Sequence, residues 1–262
     1  MSDERDFYGH WFRDGSVPDP MHSAQKGMKP ELPKRFYKQA HIVERDGLHA
    51  VALDGRVART PAKALLGFSS PDIAQALAGE WNAQADHIDP FAMPMTRIAN
   101  SAIDGVCQTR QAVIDEIAKY GGSDLLCYRA DTPAELARRQ NEAWNPVLEW
   151  SVRNVGAELT LTEGIIHKAQ PPEALAAIAR TVSTFDELGL ASLHVITTLT
   201  GSVVLALAVA RGHLEPEAAW AAAHVDEDYQ IELWGSDEEA QQRRAWRWRE
   251  MEAASRLLGM LR

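Results

Sequence analysis

An α+β fold, with a small N-terminal antiparallel β domain followed by a larger and mostly α-helical domain, is predicted by three observations. Two Asp-Gly pairs, Asp46-Gly47 and Asp54-Gly55, separate short alternating runs, which is the pattern of tight hairpins. From residue 70 onward the spacing of apolar residues lengthens from two to 3.6, the helical period. Helix-start signals then recur down the chain, at Ser70-Pro71, Thr132-Pro133-Ala134-Glu135, Pro172, Pro216 and Ser236-Asp237-Glu238-Glu239.

The elements follow in order. Residues 1–34 mix Pro18, Pro20, Pro30 and Pro33 with scattered charges and no sustained period, and read as an extended arm. Residues 35–69 form the β domain: the run Phe36 to Val43, the turn at Asp46-Gly47, Leu48 to Leu53, the second turn, then Arg56 to Pro61. Residues 70–262 form the helical domain. Its first helix carries the stripe Ile73, Leu77, Trp81, and a second carries Ile98, Ala102, Val106, Val113 and Ile117 before Gly121-Gly122. The helix after Thr132 is expected to start on a capping box with Pro133 as its first residue, and to kink or break near Pro146. Thr160 to Ile166 is expected to be one isolated strand. Between Leu188 and Ala210 no charge occurs, but the strictly apolar part runs only from Val203 to Ala210. A membrane span needs about 20 such residues, so a helix buried on all sides is predicted instead.

Composition narrows the function. Hydrophobic residues make up 45% of the 262 and charged residues 24%, which excludes whole-chain disorder and fibrous repeats. Lys and Arg total 27 against 37 Asp and Glu, a net charge of −10, so no global field draws nucleic acid or anionic lipid. Two cysteines, Cys107 and Cys127, build no disulfide framework and no zinc spacing, and are expected as free, mostly buried thiols of a cytoplasmic, bacterial protein. No GxGxxG, P-loop, GxSxG or HExxH occurs, so no cofactor and no small-molecule substrate is implied.

The local candidates for chemistry each have a plainer reading beside them. Asp86, His87 and Asp89 follow a helix end and precede Pro90, where polar residues cap and turn the chain; a metal or catalytic role competes with that. His224 and Asp228 lie one helical turn apart and could share a ligand in a metal-dependent hydrolase, or simply lie on an exposed helix face. Arg243-Arg244-Ala245-Trp246-Arg247-Trp248-Arg249 suggests nucleic acid, yet Trp248, Met251, Ala254, Leu258 and Leu261 repeat at helical spacing. Glu238, Glu239, Glu250 and Glu252 sit near enough to offset the arginines, so an amphipathic helix is the better reading.

A single helix from Pro216 to Trp234 puts Ala218, Ala222, Val225, Tyr229 and Leu233 on one apolar arc. It puts Trp220, Ala223, Ile231 and Trp234 on another, with Glu227 near its centre. Either Glu227 is buried and held by an arginine from a neighbouring helix, or the arc stays exposed as a protein-binding patch with one orienting charge. Trp81, beside Glu80, is either a core anchor or an interface residue.

Several blocks resemble one family. Gly47 to Arg56 with Thr60-Pro61-Ala62-Lys63, Glu80-Trp81-Asn82-Ala83-Gln84, Met93-Pro94-Met95-Thr96, Tyr120 with Asp124 to Tyr128, Trp144-Asn145-Pro146, and Asp226 to Gly235 are similar, in order, to the ATP synthase F(1) assembly chaperone that handles the α subunit. The resemblance spans roughly residues 35 to 250. It implies a β module followed by a helical one, no enzymatic activity, and binding of the unassembled α subunit until the β subunit takes its place. An unpartnered α subunit exposes an interface made to be buried, which drives aggregation. Glu227, Trp220, Ile231 and Trp234 are then the expected partner-binding residues, with Trp81 and Glu80 supporting or joining them.

Overall fold

The computed structural model describes residues 32–164 and 166–262; the arm expected over residues 1–34 lies almost wholly outside the described residues. The backbone resolves into two compact units, divided between Gln108 and Thr109.

The first unit is built on a sheet. β1 (Ala40–Arg45) pairs antiparallel with β2 (Leu48–Leu53) over their whole length, from Ala40↔Leu53 to Arg45↔Leu48. Asp46 and Gly47 both have positive φ, 55° and 77°, as do Asp54 and Gly55 at 47° and 83°. A two-residue turn of that hand matches the right-handed twist of its strands, and Asp and Gly tolerate the conformation best. Past the second turn, β3 (Arg56–Val57) and β4 (Gly67–Phe68) share the other side of β2. Helix α1 (Pro71–Asn82) covers β1 and β2, burying Ile73 and Leu77, each worth about 1.5–3 kcal/mol. Helix α2 (Pro94–Ser101) packs against α1. The change of period at residue 70 therefore marks a change of secondary structure within one unit, because the first two helices cover the sheet's apolar face.

The second helical stripe is interrupted. A π-helical stretch, Ala102–Val106, leads into α3 (Cys107–Lys119), and Thr109 within it is non-helical (φ −125°, ψ 28°) at the division between the units.

In the second unit, α4 (Ala134–Asn154) starts one residue later than expected. Pro133 is extended (φ −73°, ψ 156°) after a cis bond to Thr132, and Glu135 binds Arg138 and Arg139 instead of closing a capping box. The helix also runs unbroken through Pro146. Pro146 faces solvent, as does Glu142, whose carbonyl loses its helical donor there; water can take that role, while Trp144, Val147 and Trp150 hold the opposite face in the core. The expected isolated strand is two residues, β6 (Thr162–Glu163), and it pairs in parallel with β5 (Tyr128–Arg129).

Three helices, α5 (Pro172–Val182), α6 (Glu187–Thr200) and α7 (Val203–Ala210), supply the centre. The uncharged run divides at Gly201, whose φ of 67° suits glycine, and all eight residues of α7 are buried. No helix among the described residues is long and apolar enough to cross a membrane. Asp124 lies completely buried under α7, accepting from the amides of Leu126 at 3.1 Å and Val204 at 3.2 Å, while Ser202 caps the helix through the amide of Leu205. The last helices are α8 (Pro216–Ala223), α9 (Val225–Trp234) and α10 (Glu238–Met260); the last is capped by Asp237, through the amide of Ala240, one residue past the Ser236 that the capping-box pattern Ser236-Asp237-Glu238-Glu239 puts at the cap.

Candidate protein-binding surface

The segment read as one helix from Pro216 to Trp234 is two, because His224 leaves the helical region (φ −116°, ψ 20°). The break redistributes the arc. Trp220, on α8, is buried and packs at 4.0 Å on the His224 ring and at 5.5 Å on Trp248, so it does not belong to an exposed patch. Glu227, Ile231 and Trp234 remain together on α9, at spacings of four and three residues that place them on one face. Glu227 is exposed, Ile231 is half-buried and Trp234 is 82% exposed. None of the ten residues of α9 is buried.

What holds α9 is polar. The guanidinium of Arg139, on α4, donates to both carboxylate oxygens of Glu232 at 2.8 Å and lies 5.3 Å from the Tyr229 ring centre. Gln140 donates to Asp226 at 2.7 Å, and Arg244, on α10, pairs with Asp228. The fastened residues therefore alternate with Glu227, Ile231 and Trp234, which are left facing out. The arginines go to the neighbours of Glu227, which overturns the reading of Glu227 as a buried, arginine-held charge. Leu233, placed by the single-helix wheel on the opposite arc, is 55% exposed and adds apolar surface beside Trp234.

The metal reading of His224 and Asp228 fails on geometry. Burial holds the His224 imidazole below its usual pKa, so it is neutral at pH 7, and its Nδ1 donates to the Trp220 carbonyl at 2.7 Å. Its Nε2 is 3.8 Å from Glu227, too long for a hydrogen bond, and Asp228 is occupied by Arg244. Among the described residues no three His, Cys, Asp or Glu side chains gather as a metal site. The basic stretch is likewise engaged: Arg243 pairs with Glu239 at 2.6 Å, Arg244 with Asp228, and Arg247 donates to the Leu199 carbonyl at 2.7 Å.

In the first unit, Asp89 caps a short 3-10 turn through the amide of Phe91 at 2.9 Å, as the capping reading expects, while His87 forms a backbone bridge with Lys34 instead of a cap. Glu80 does not reach a surface. It is buried and takes the amides of Met95 and Thr96, at 2.8 and 2.7 Å, together with the Thr96 hydroxyl at 2.7 Å. It thereby satisfies free amides at the start of α2. Burial raises its pKa against the pull of those hydrogen bonds. Trp81 is half-buried, edge-on to Tyr37 at 5.7 Å, and its carbonyl accepts from the Tyr37 hydroxyl at 2.6 Å. Of the two free cysteines, Cys127 is buried, its thiol pushed up to about 12 chiefly by that burial, whereas Cys107 is exposed rather than buried.

The outward-facing apolar and charged side of α9 is the class of surface by which protein-binding modules hold their partners. Comparison with known proteins specifies which. Residues 34–152 match the profile of the ATP12 chaperone protein family. The mitochondrial atp12 protein of Schizosaccharomyces pombe is 24% identical over 220 residues, covering 79% of this chain and 75% of that protein. The crystal structure of Atp12 from Paracoccus denitrificans superposes with a TM-score of 0.82 at 41% identity, over 88% of this chain and 99% of that one. The Agrobacterium tumefaciens protein Atu1473 superposes at 0.86 and 44% identity, over 99% and 100%. The chain belongs to the ATP12 chaperone family, whose members are assembly chaperones of F1-ATP synthase and not enzymes.

Proposed function

We propose that this chain binds the unassembled α subunit of F1-ATP synthase in the bacterial cytoplasm, shields its subunit interface, and yields it to the β subunit. The observation that carries the reading is the outward face of α9, where Glu227, Ile231 and Trp234 stand on a helix with no buried residue. An exposed indole next to an isoleucine is a costly surface for a monomer and a common anchor for a partner. Glu227 at its centre supplies direction, since a charge inside an apolar patch rejects partners that lack its complement. The polar ties behind α9 keep it in place without covering that face. Release needs only a competing surface: the β subunit buries the same α interface more extensively.

Co-expression with isolated α subunit tests this. Intact chain should raise the soluble yield of α and co-purify with it at one to one, and added β subunit should displace it without ATP. Glu227→Lys and Trp234→Ala should each weaken the complex by about tenfold or more, as interface hot spots do, and shift Tm by no more than a degree or two. Full retention of α by both variants would overturn the assignment of this face.

A further inference from the structure

The first unit contains a cleft of about 380 Å³ that the α9 surface does not involve. Its floor is apolar, formed by Leu53, Leu66, Trp81, Ile88 and Met93, with Phe36, 68% exposed, at the lip. Every charged residue lining it is basic: Arg56, Arg59, Lys63 and Arg97. In a chain of net charge −10 that concentration of one sign is a local inversion. The rim is also held in shape. Asp104 accepts from the Thr60 hydroxyl at 2.6 Å and the Ala62 amide at 2.9 Å, and Arg59 donates to the Lys63 carbonyl at 2.9 Å. Arg97 feels the buried carboxylate of Glu80, but Arg56 and Lys63 pair with no carboxylate among the described residues.

Four cationic side chains around one apolar cleft select among anionic occupants. A fatty acid brings a single carboxylate, at the end of its chain. An acidic peptide segment brings carboxylates on both sides of an apolar side chain, which matches several cations lining one apolar floor. The volume, near the low end for ligand pockets at about 300–1,000 Å³, suits one large side chain rather than a folded surface.

We propose that this cleft is a second binding site, for an extended peptide segment that inserts one large apolar side chain and carries carboxylates on either side of it. The apolar side chain enters between Trp81 and Met93, and the flanking carboxylates meet Arg56 and Lys63. The proposal does not depend on the α subunit being the partner at α9.

The probe is the blocked peptide Gly-Asp-Asp-Phe-Asp-Asp-Gly, titrated into the intact ¹⁵N-labelled chain while the tryptophan indole signals are followed. The acidic peptide should bind at least tenfold more tightly than its Lys-for-Asp counterpart and shift the Trp81 indole resonance. Arg56→Glu combined with Lys63→Glu, both solvent-exposed positions, should weaken it about tenfold at unchanged Tm. Equal affinity for the acidic and basic peptides would overturn the proposal, as would shifts confined to Trp234. Tighter binding of dodecanoate than of the peptide, with displacement of the peptide, would show an amphiphile site and overturn the peptide assignment.

Discussion

At the residue scale, two side chains that look interchangeable on a sequence wheel do opposite work. Glu227 is a carboxylate facing water, while Glu80 is a carboxylate spent inside the first unit on the amides of Met95 and Thr96. Glu80→Ala should therefore cost about 2 kcal/mol in urea unfolding, through the lost cap and the amides left unmet. Trp81→Arg should cost about 3 kcal/mol or more, because it removes the edge contact with Tyr37 and sets a guanidinium among Leu53, Ile88 and Met93. Unchanged soluble yield and Tm in that variant would contradict the packing role. Asp124 gives a pH signature. Burial raises its carboxyl from an ordinary 3.8 to about 6, so the folded state holds the proton more tightly than the unfolded one. The stability it contributes is full below about pH 4 and is lost as pH rises through about 6. Asp124→Asn removes that titration. The difference in unfolding free energy between wild type and variant should change across this interval and stay flat on either side, which urea melts at a series of pH values would measure.

At the scale of elements, α9 is the informative one. A helix of ten residues with no fully buried side chain gains little from burial, and helices this short are marginal in water on propensity alone. Its attachment rests on Arg139, Gln140 and Arg244. Raising salt from 0.05 to 1 M, or introducing Arg139→Ala, should speed amide hydrogen exchange of 226–234 several-fold, while α7 amides stay protected. Equal protection of the two helices would refute that account. The elements also show what was legible beforehand. The two Asp-Gly turns, the stripe Ile73 and Leu77 and the buried Val203–Ala210 run follow from local chemistry, and the structure has all of them. The break at His224 does not. Nothing in the sequence Ala222-Ala223-His224-Val225 interrupts a helix; the imidazole turns inward to bond the Trp220 carbonyl and stack on its ring, a tertiary preference with no local signal. Losing that break is what put Trp220 on the wrong face. Arg139 as an anchor was half visible, through its four-residue spacing from Glu135, but its second partner, Glu232, is far along the chain.

At the scale of the molecule, each unit sets apolar surface beside charge of a single sign. The chain is acidic overall, yet the lining of the first unit's cleft is basic, and among the described residues of the second unit the most exposed indole shares a helix face with an exposed glutamate. A chaperone that must hold and then release has reason to offer small anchored patches instead of one broad apolar face, because k_off rises as fewer groups are desolvated. The family resemblance was readable because its blocks fall on residues with fixed structural duties: the hairpin turns, Glu80 under α2, Asp124 under α7, and the tied and untied residues of α9. The cleft was not readable, since Leu53, Lys63, Trp81 and Asn100 come together only when sheet, loop and two helices close around them.

The exposure of Trp234 has an optical consequence. Among the described tryptophans only Trp234 is exposed, its indole open to a collisional quencher such as iodide that reaches Trp144 and Trp150 poorly. The native chain thus carries its own occupancy gauge: covering α9 should shift part of the emission to the blue and shrink the quenchable fraction, with no label attached.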